Sequence, residues 1–235
     1  MRMRIFPRLG LLVALALMPT WSGAAELDVA DWRVAPTVHG DVAAGREKAQ
    51  VCNNCHGADG KGPIPNFPSV AGLPEGYLYL KLVAFKNSQR ADSVMTPLVA
   101  NHTIEDLADI AAFYASLPLV APSPLTAVAV DADVLERGRR LYLSGDPSKG
   151  IPPCQGCHGI EGKGPTNAQP FQELWPQLYG QQAIYVSFRL ENFQRGDPID
   201  TTADKIMQGV ARNMSTDDIA ALSAWVERLD GRAEE

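Results

Sequence analysis

The sequence predicts an all-α chain in which one small helical unit occurs twice in tandem. Three observations predict it. A five-residue motif recurs, as Cys52-Asn-Asn-Cys55-His56 and Cys154-Gln-Gly-Cys157-His158, and the two copies use all four cysteines. The residues around each copy repeat position by position, which is more specific than any single motif. The segments between carry apolar residues at helical spacing, with capping residues ahead of them and proline and glycine between them.

The motif is the first element to justify. C-x-x-C-H is a site of covalent haem attachment. Two thiols three residues apart can each form a thioether to the two vinyl groups on one haem edge, and the adjacent imidazole then serves as proximal iron ligand. A zinc site would want further Cys or His at matching spacing, and a dithiol redox pair does not need the histidine. A pair of disulfides would not need it either. The motifs therefore imply two covalently bound haem c groups, held through Cys52, Cys55, Cys154 and Cys157 and ligated by His56 and His158.

Residues 1–25 read as a cleavable signal peptide. Arg2, Arg4 and Arg8 form the basic region, Leu11 to Met18 the apolar core, and Ser22-Gly23-Ala24-Ala25 the small residues for cleavage. The apolar run is short for a bilayer span, and the alternative is an uncleaved anchor. Export implies a periplasmic location. Three of the 21 basic residues leave with the signal, so 18 basic residues face 27 acidic ones in the mature chain. No basic stripe marks a nucleic-acid surface. The negative balance suits a partner with a positive docking face, and equally a solvated acidic surface.

Residues 26–40 read as an N-terminal arm. The first unit spans 41–119. Asp41 caps a helix from Ala43 to Val51 that runs into the first motif. Gly60-Lys61-Gly62-Pro63 and four further breakers make 63–74 an irregular wrap. Tyr77 to Asn87 is a helix, and Val94-Met95-Thr96-Pro97 a loop. Thr103-x-x-Asp106 is a capping box ahead of a helix with Leu107, Ile110, Tyr114 and Leu117 on one face. Residues 120–130, with Pro122 and Pro124, form a linker.

The second unit, 131–231, repeats the order. Asp133 to Leu143 is a helix with Gly138 in the place of Gly45. Gly162-Lys163-Gly164-Pro165 repeats the loop, Ala183 to Gln194 the middle helix, and Ser215-x-x-Asp218 the capping box. Ile219, Leu222, Val226 and Leu229 repeat the last stripe. From His158 to Ser215 is 57 residues, against 47 from His56 to Thr103. Residues 232–235 are a tail. Each unit is small for a self-sufficient core, so a covalent haem supplies apolar interior. Gly45 and Gly138 predict close crossing of first and last helices, against Phe113 and Trp225.

The sixth ligand decides between carrier and catalyst. Outside the signal the chain has Met95, Met207 and Met214, and beyond the motifs only His39 and His102. Met95 and Met207 each lie eight residues before their N-cap, so both are expected as iron ligands in loops. The alternatives are His102 and Met214, and methionine is often a core filler. A thioether and an imidazole together saturate the iron. The proximal imidazole needs a backbone carbonyl for its other N–H, and one of the prolines after each motif can supply it, Pro63 and Pro165 being the first of them.

CxxCHGxxGKGP, the tyrosine-headed middle helix, "MTPL", "IMQGVA" and "GRRLYLSGD" together resemble the cytochrome c4 family, over nearly all of 41–231. The resemblance implies two tandem class I cytochrome c domains, haems that approach across the domain interface, and Met95 and Met207 as sixth ligands. It implies a diffusible or loosely membrane-associated carrier, monomer or weak dimer, rather than an enzyme. Expected partners are a quinol-oxidising complex (quinol–cytochrome c reductase) or periplasmic dehydrogenase as donor, and a terminal oxidase as acceptor. A dedicated cytochrome subunit or acceptor of a periplasmic sulfur-oxidising dehydrogenase is the alternative. A dihaem peroxidase or gas sensor would need an open iron position.

Overall fold

The computed structural model describes residues 38–64, 66–87, 93–122, 129–165, 175–197 and 201–229. The signal peptide, the arm up to residue 37, the linker centre (123–128) and the tail lie outside the described residues. Those described form ten α-helices in two matching sets of five. The first set is α1 (Val42–Lys48), α2 (Asn53–His56), α3 (Glu75–Asn87), α4 (Met95–Val99) and α5 (Ile104–Ser116). The second is α6 (Ala132–Ser144), α7 (Gln155–His158), α8 (Ala183–Arg195), α9 (Thr202–Ala211) and α10 (Thr216–Val226). A 3₁₀ turn at Pro147–Lys149 follows α6, closed by an isolated bridge between Asp146 and Ile151.

The helices start where side-chain acceptors satisfy free backbone donors. Asp41 accepts from the Ala43 and Ala44 N–H groups at 2.8 and 2.9 Å. Thr103 with Asp106, and Ser215 with Asp218, form reciprocal capping boxes as expected. A third box, Thr201 with Asp204, starts α9. That helix is absent from the sequence reading, and it occupies part of the longer second unit. Two expectations change with it. Met207 lies inside α9, and Met95 is the first residue of α4, so both stand on helices rather than in loops. α1 also stops at Lys48, because the chain turns to bring the Cys52 N–H onto the Ala49 carbonyl at 2.9 Å.

Each unit closes where its first helix crosses its last. A Cβ on Gly45 would sit 1.9 Å from the Asp109 carbonyl oxygen and 2.9 Å from the Phe113 Cβ. On Gly138 it would sit 2.1 Å from the Ala221 oxygen and 2.8 Å from the Trp225 Cβ. Only glycine permits that approach, as the matched positions in the repeat predict. The last helices bury their apolar stripes, Leu107, Ile110 and Tyr114 in one and Ile219, Leu222 and Val226 in the other. Asp218 is buried beneath its cap and pairs with Arg137 at 2.7 Å and Lys149 at 2.6 Å. Although burial pushes its carboxyl up, Lys149, the Ser215 backbone and Arg137 hold it well below the usual carboxylate range.

Candidate functional site

Each C-x-x-C-H motif forms a single helical turn, α2 or α7, that exposes little of its histidine. Hydrogen bonds from the crossing helices fix these turns. The Tyr114 hydroxyl donates to Asn53 Oδ1 at 3.0 Å, and the fully buried Tyr142 hydroxyl donates to the Gly159 carbonyl at 2.6 Å. After each histidine the chain reverses through Gly57 and Gly159, at φ 77° and 80°. The loop is then tied back, Gly62 N–H to the His56 carbonyl and Gly164 N–H to the His158 carbonyl, both at 2.8 Å.

No disulfide joins any of the four cysteines. Cys52 packs on the first core and Cys154 on the second. Burial pushes the Cys154 thiol up to about 12 and raises Cys52 and Cys157 as well. A dithiol redox pair needs the reverse, a thiol made acidic by its surroundings.

His56 Nδ1 lies 3.0 Å from the Pro68 carbonyl, and His158 Nδ1 lies 2.8 Å from the Pro176 carbonyl. A carbonyl only accepts, so Nδ1 carries the proton in both rings and Nε2 presents its lone pair. Burial lowers the basicity of both imidazoles, against the opposing effect of those carbonyls, which favours the neutral form that ligation requires. In each half a proline after the motif supplies the carbonyl, as expected, but it is Pro68 and Pro176 rather than Pro63 and Pro165. Those prolines stand at the start of the reversing loop, whereas Pro68 and Pro176 lie where it returns over the ring. The second loop is six residues longer, so 18 residues rather than 12 separate histidine from proline.

Met207 packs against the second core, and Met95 is half-buried. Beside Met95, the Thr96 hydroxyl oxygen is buried with no hydrogen-bond partner among the described residues. Met214 is a core residue, 3% exposed and packed with Leu141, Ile219 and Leu222. His102 Nδ1 stands 4.0 Å from Asp106 in the capping box. Paired thiols, an imidazole anchored through Nδ1 and apolar surroundings fit a covalent haem in each unit, and the first adds the orphaned Thr96 hydroxyl.

The halves meet through polar contacts that the sequence reading does not anticipate. Lys81 of α3 pairs with Asp204 of α9 at 2.5 Å, and Arg189 stands 3.8 Å from the same carboxylate. Gln181 and Gln182 reach the loop after the first motif: Gln181 exchanges two hydrogen bonds with the Ser69 backbone, and Gln182 Nε2 donates to the Gly62 carbonyl at 2.7 Å. Burial pushes the Tyr77 phenol up, and Tyr185, its counterpart in the other half, adds to the rise. Bare spacing gives no signal for the glutamines, but their place just before a helix in the middle of the second repeat marks the edge at which the halves join.

The Cytochrome c family model matches residues 135–230. A cytochrome c4 of Pseudomonas aeruginosa is 40% identical over 190 residues, covering 81% of this chain and 89% of the relative. This chain belongs to the cytochrome c4 family. The crystal structure of reduced recombinant cytochrome c4 from Pseudomonas stutzeri superposes with a TM-score of 0.68 at 34% identity, covering 80% of this chain and 98% of that one. A thiosulfate dehydrogenase electron acceptor of Thiomonas intermedia is 33% identical over 190 residues, covering 78% of this chain and 81% of the relative. Membership makes this an all-α dihaem electron-transfer cytochrome with two tandem class I cytochrome c domains and two covalently bound haem c groups. Its partners are redox proteins. Among the described residues no helix is long and apolar enough to cross a membrane.

Proposed function

We propose that this chain is a periplasmic carrier that takes single electrons from a quinol-oxidising complex or a periplasmic dehydrogenase and delivers them to a terminal oxidase. The proposed domains run over 41–119 and 131–231, joined by 120–130. The observation that carries the reading is that both histidines are buried and anchored through Nδ1 to a proline carbonyl, with a methionine at the matching place of each repeat. When bound, haem c supplies a one-electron iron couple.

The residues have separate roles. Cys52 with Cys55, and Cys154 with Cys157, anchor the two haems through thioethers. His56 and His158 would be the proximal ligands, their rings fixed by the Pro68 and Pro176 carbonyls. Met95 and Met207 would supply the second protein ligand to each iron, which would leave no place for substrate and make the chain a carrier rather than an enzyme. The polar seam at Gln181, Gln182 and Lys81 holds the two haem domains in one arrangement, so that an electron can enter one and leave by the other.

The testing experiment is the far-red sulfur-to-iron charge-transfer band of the oxidised protein, quantified per haem. Two haem equivalents are expected, with half lost in Met95→Ala and the other half in Met207→Ala. A full-strength band in either variant rules out that methionine. The likeness to thiosulfate dehydrogenase electron acceptors favours a second reading, a dedicated acceptor for a periplasmic sulfur-oxidising dehydrogenase. Stopped-flow reduction by such a dehydrogenase with thiosulfate, compared with reduction by a quinol-oxidising complex, separates the two.

A further inference from the structure

One peptide group in the first half carries two bonds of different origin. The Pro68 carbonyl accepts from His56 Nδ1–H at 3.0 Å. The N–H on the other side of the same peptide belongs to Ser69, and it donates to Gln181 Oε1 of the second half at 3.0 Å. Gln181 Nε2 returns a bond to the Ser69 carbonyl at 2.9 Å. Ser69 is 5% exposed and Gln181 6%, so water does not compete for these groups. The Ser69 hydroxyl, donating to the Lys61 carbonyl at 2.8 Å, holds the segment from the other side. An unbroken hydrogen-bonded chain thus runs from a side chain of one half to the proximal histidine of the other.

The consequence has a sign. An acceptor on the N–H of a peptide polarises it and makes its carbonyl a stronger acceptor. A stronger acceptor on Nδ1–H makes the imidazole a better electron donor through Nε2. A more electron-rich ligand favours ferric over ferrous iron. The described residues of the second half show no matching arrangement. His158 donates to the Pro176 carbonyl, yet among the described residues the Gln177 N–H of that peptide receives no acceptor from the first half.

We infer that Gln181 is a positioning residue for the first haem, holding its reduction potential down through the Ser69–Pro68 peptide for as long as the two halves stay together. The inference rests on the dihaem reading with His56 as ligand. It makes contact between the halves a control on one haem only. A partner that loosens the seam would raise the first potential relative to the second and so change the direction in which the internal electron settles.

The test is a spectroelectrochemical titration of the full-length holoprotein in three forms: wild type, Gln181→Met and Gln181→Glu. Methionine keeps the length and removes the acceptor, while glutamate keeps Oε1. In Gln181→Met the first haem should become easier to reduce by a three- to tenfold shift in its equilibrium, about 28–59 mV for one electron. The second haem should stay within a factor of two. Gln181→Glu should return the first potential to the wild-type value or below it. Lys81→Met loosens the same seam without touching the Ser69 peptide, and should shift the first haem less than Gln181→Met does. An unchanged first potential in Gln181→Met overturns the inference, and so do equal shifts in both haems. An intact far-red band in these variants shows that the dihaem reading survives whatever the potentials do, so the two failures are distinguishable.

Discussion

Replacing Gly138 by alanine tests the close helix crossing on which each domain depends. The added methyl would lie 2.1 Å from the Ala221 carbonyl oxygen and 2.8 Å from the Trp225 Cβ. A backbone carbonyl has no rotamer to escape through, so α6 and α10 must separate by about 1 Å, a large displacement for close-packed helices. Overpacking of this kind costs about 1–3 kcal/mol, and a rigid obstacle argues for the upper end. Alanine returns about 1 kcal/mol through its better helix propensity. The expected net loss is about 2 kcal/mol, read as a fall in Tm of about 4–8 °C for a chain of this size. The assay is thermal unfolding of the holoprotein followed by far-ultraviolet circular dichroism. Gly209→Ala in α9 is the control, because nothing lies within 4 Å of its added methyl. It should stabilise by about 0.5–1 kcal/mol. If Gly138→Ala matches Gly209→Ala, the crossing is not as close as described and the packing argument for both glycines fails.

Two further outcomes follow from buried polar groups. Tyr142→Phe should cost about 1–2 kcal/mol in chemical denaturation, because it leaves the Gly159 carbonyl without its donor in a dry site. No loss would mean that α7 is held by other contacts. Asp218→Asn should cost about 1–3 kcal/mol at neutral pH, since it removes the anion facing Arg137 and Lys149. The folded-state carboxyl is depressed, so its stabilisation is present above the unfolded value of about 4 and is lost as pH falls through the folded value. Wild type should therefore lose stability on acidification below about pH 4, and Asp218→Asn should lose less over the same range. Parallel acid limbs would refute that assignment. Asp106, held down to about 2 chiefly by Lys48, adds to the acid limb in both proteins.

Much of this molecule is determined by local chemistry and is legible along the chain. The C-x-x-C-H spacing specifies thioethers and a proximal imidazole without reference to the rest of the fold. Capping boxes at Thr103 and Ser215 are readable because donor and acceptor lie three residues apart. The glycine pair at 45 and 138 is readable because the repeat sets each against an aromatic residue on the last helix. The long-range choices belong to the tertiary structure. Which proline carbonyl receives the His56 or His158 proton depends on how a glycine-rich loop returns over the ring, so Pro68 and Pro176 serve where Pro63 and Pro165 had been the expectation. Met207 stands on a helix whose signals were also local: Thr201 and Asp204 lie three residues apart like the other two boxes, and 202–211 is amphipathic. The seam between the halves is decided by folding alone. Ser69 and Gln181 lie 112 residues apart, and each is an ordinary polar residue until burial leaves it no partner but the other.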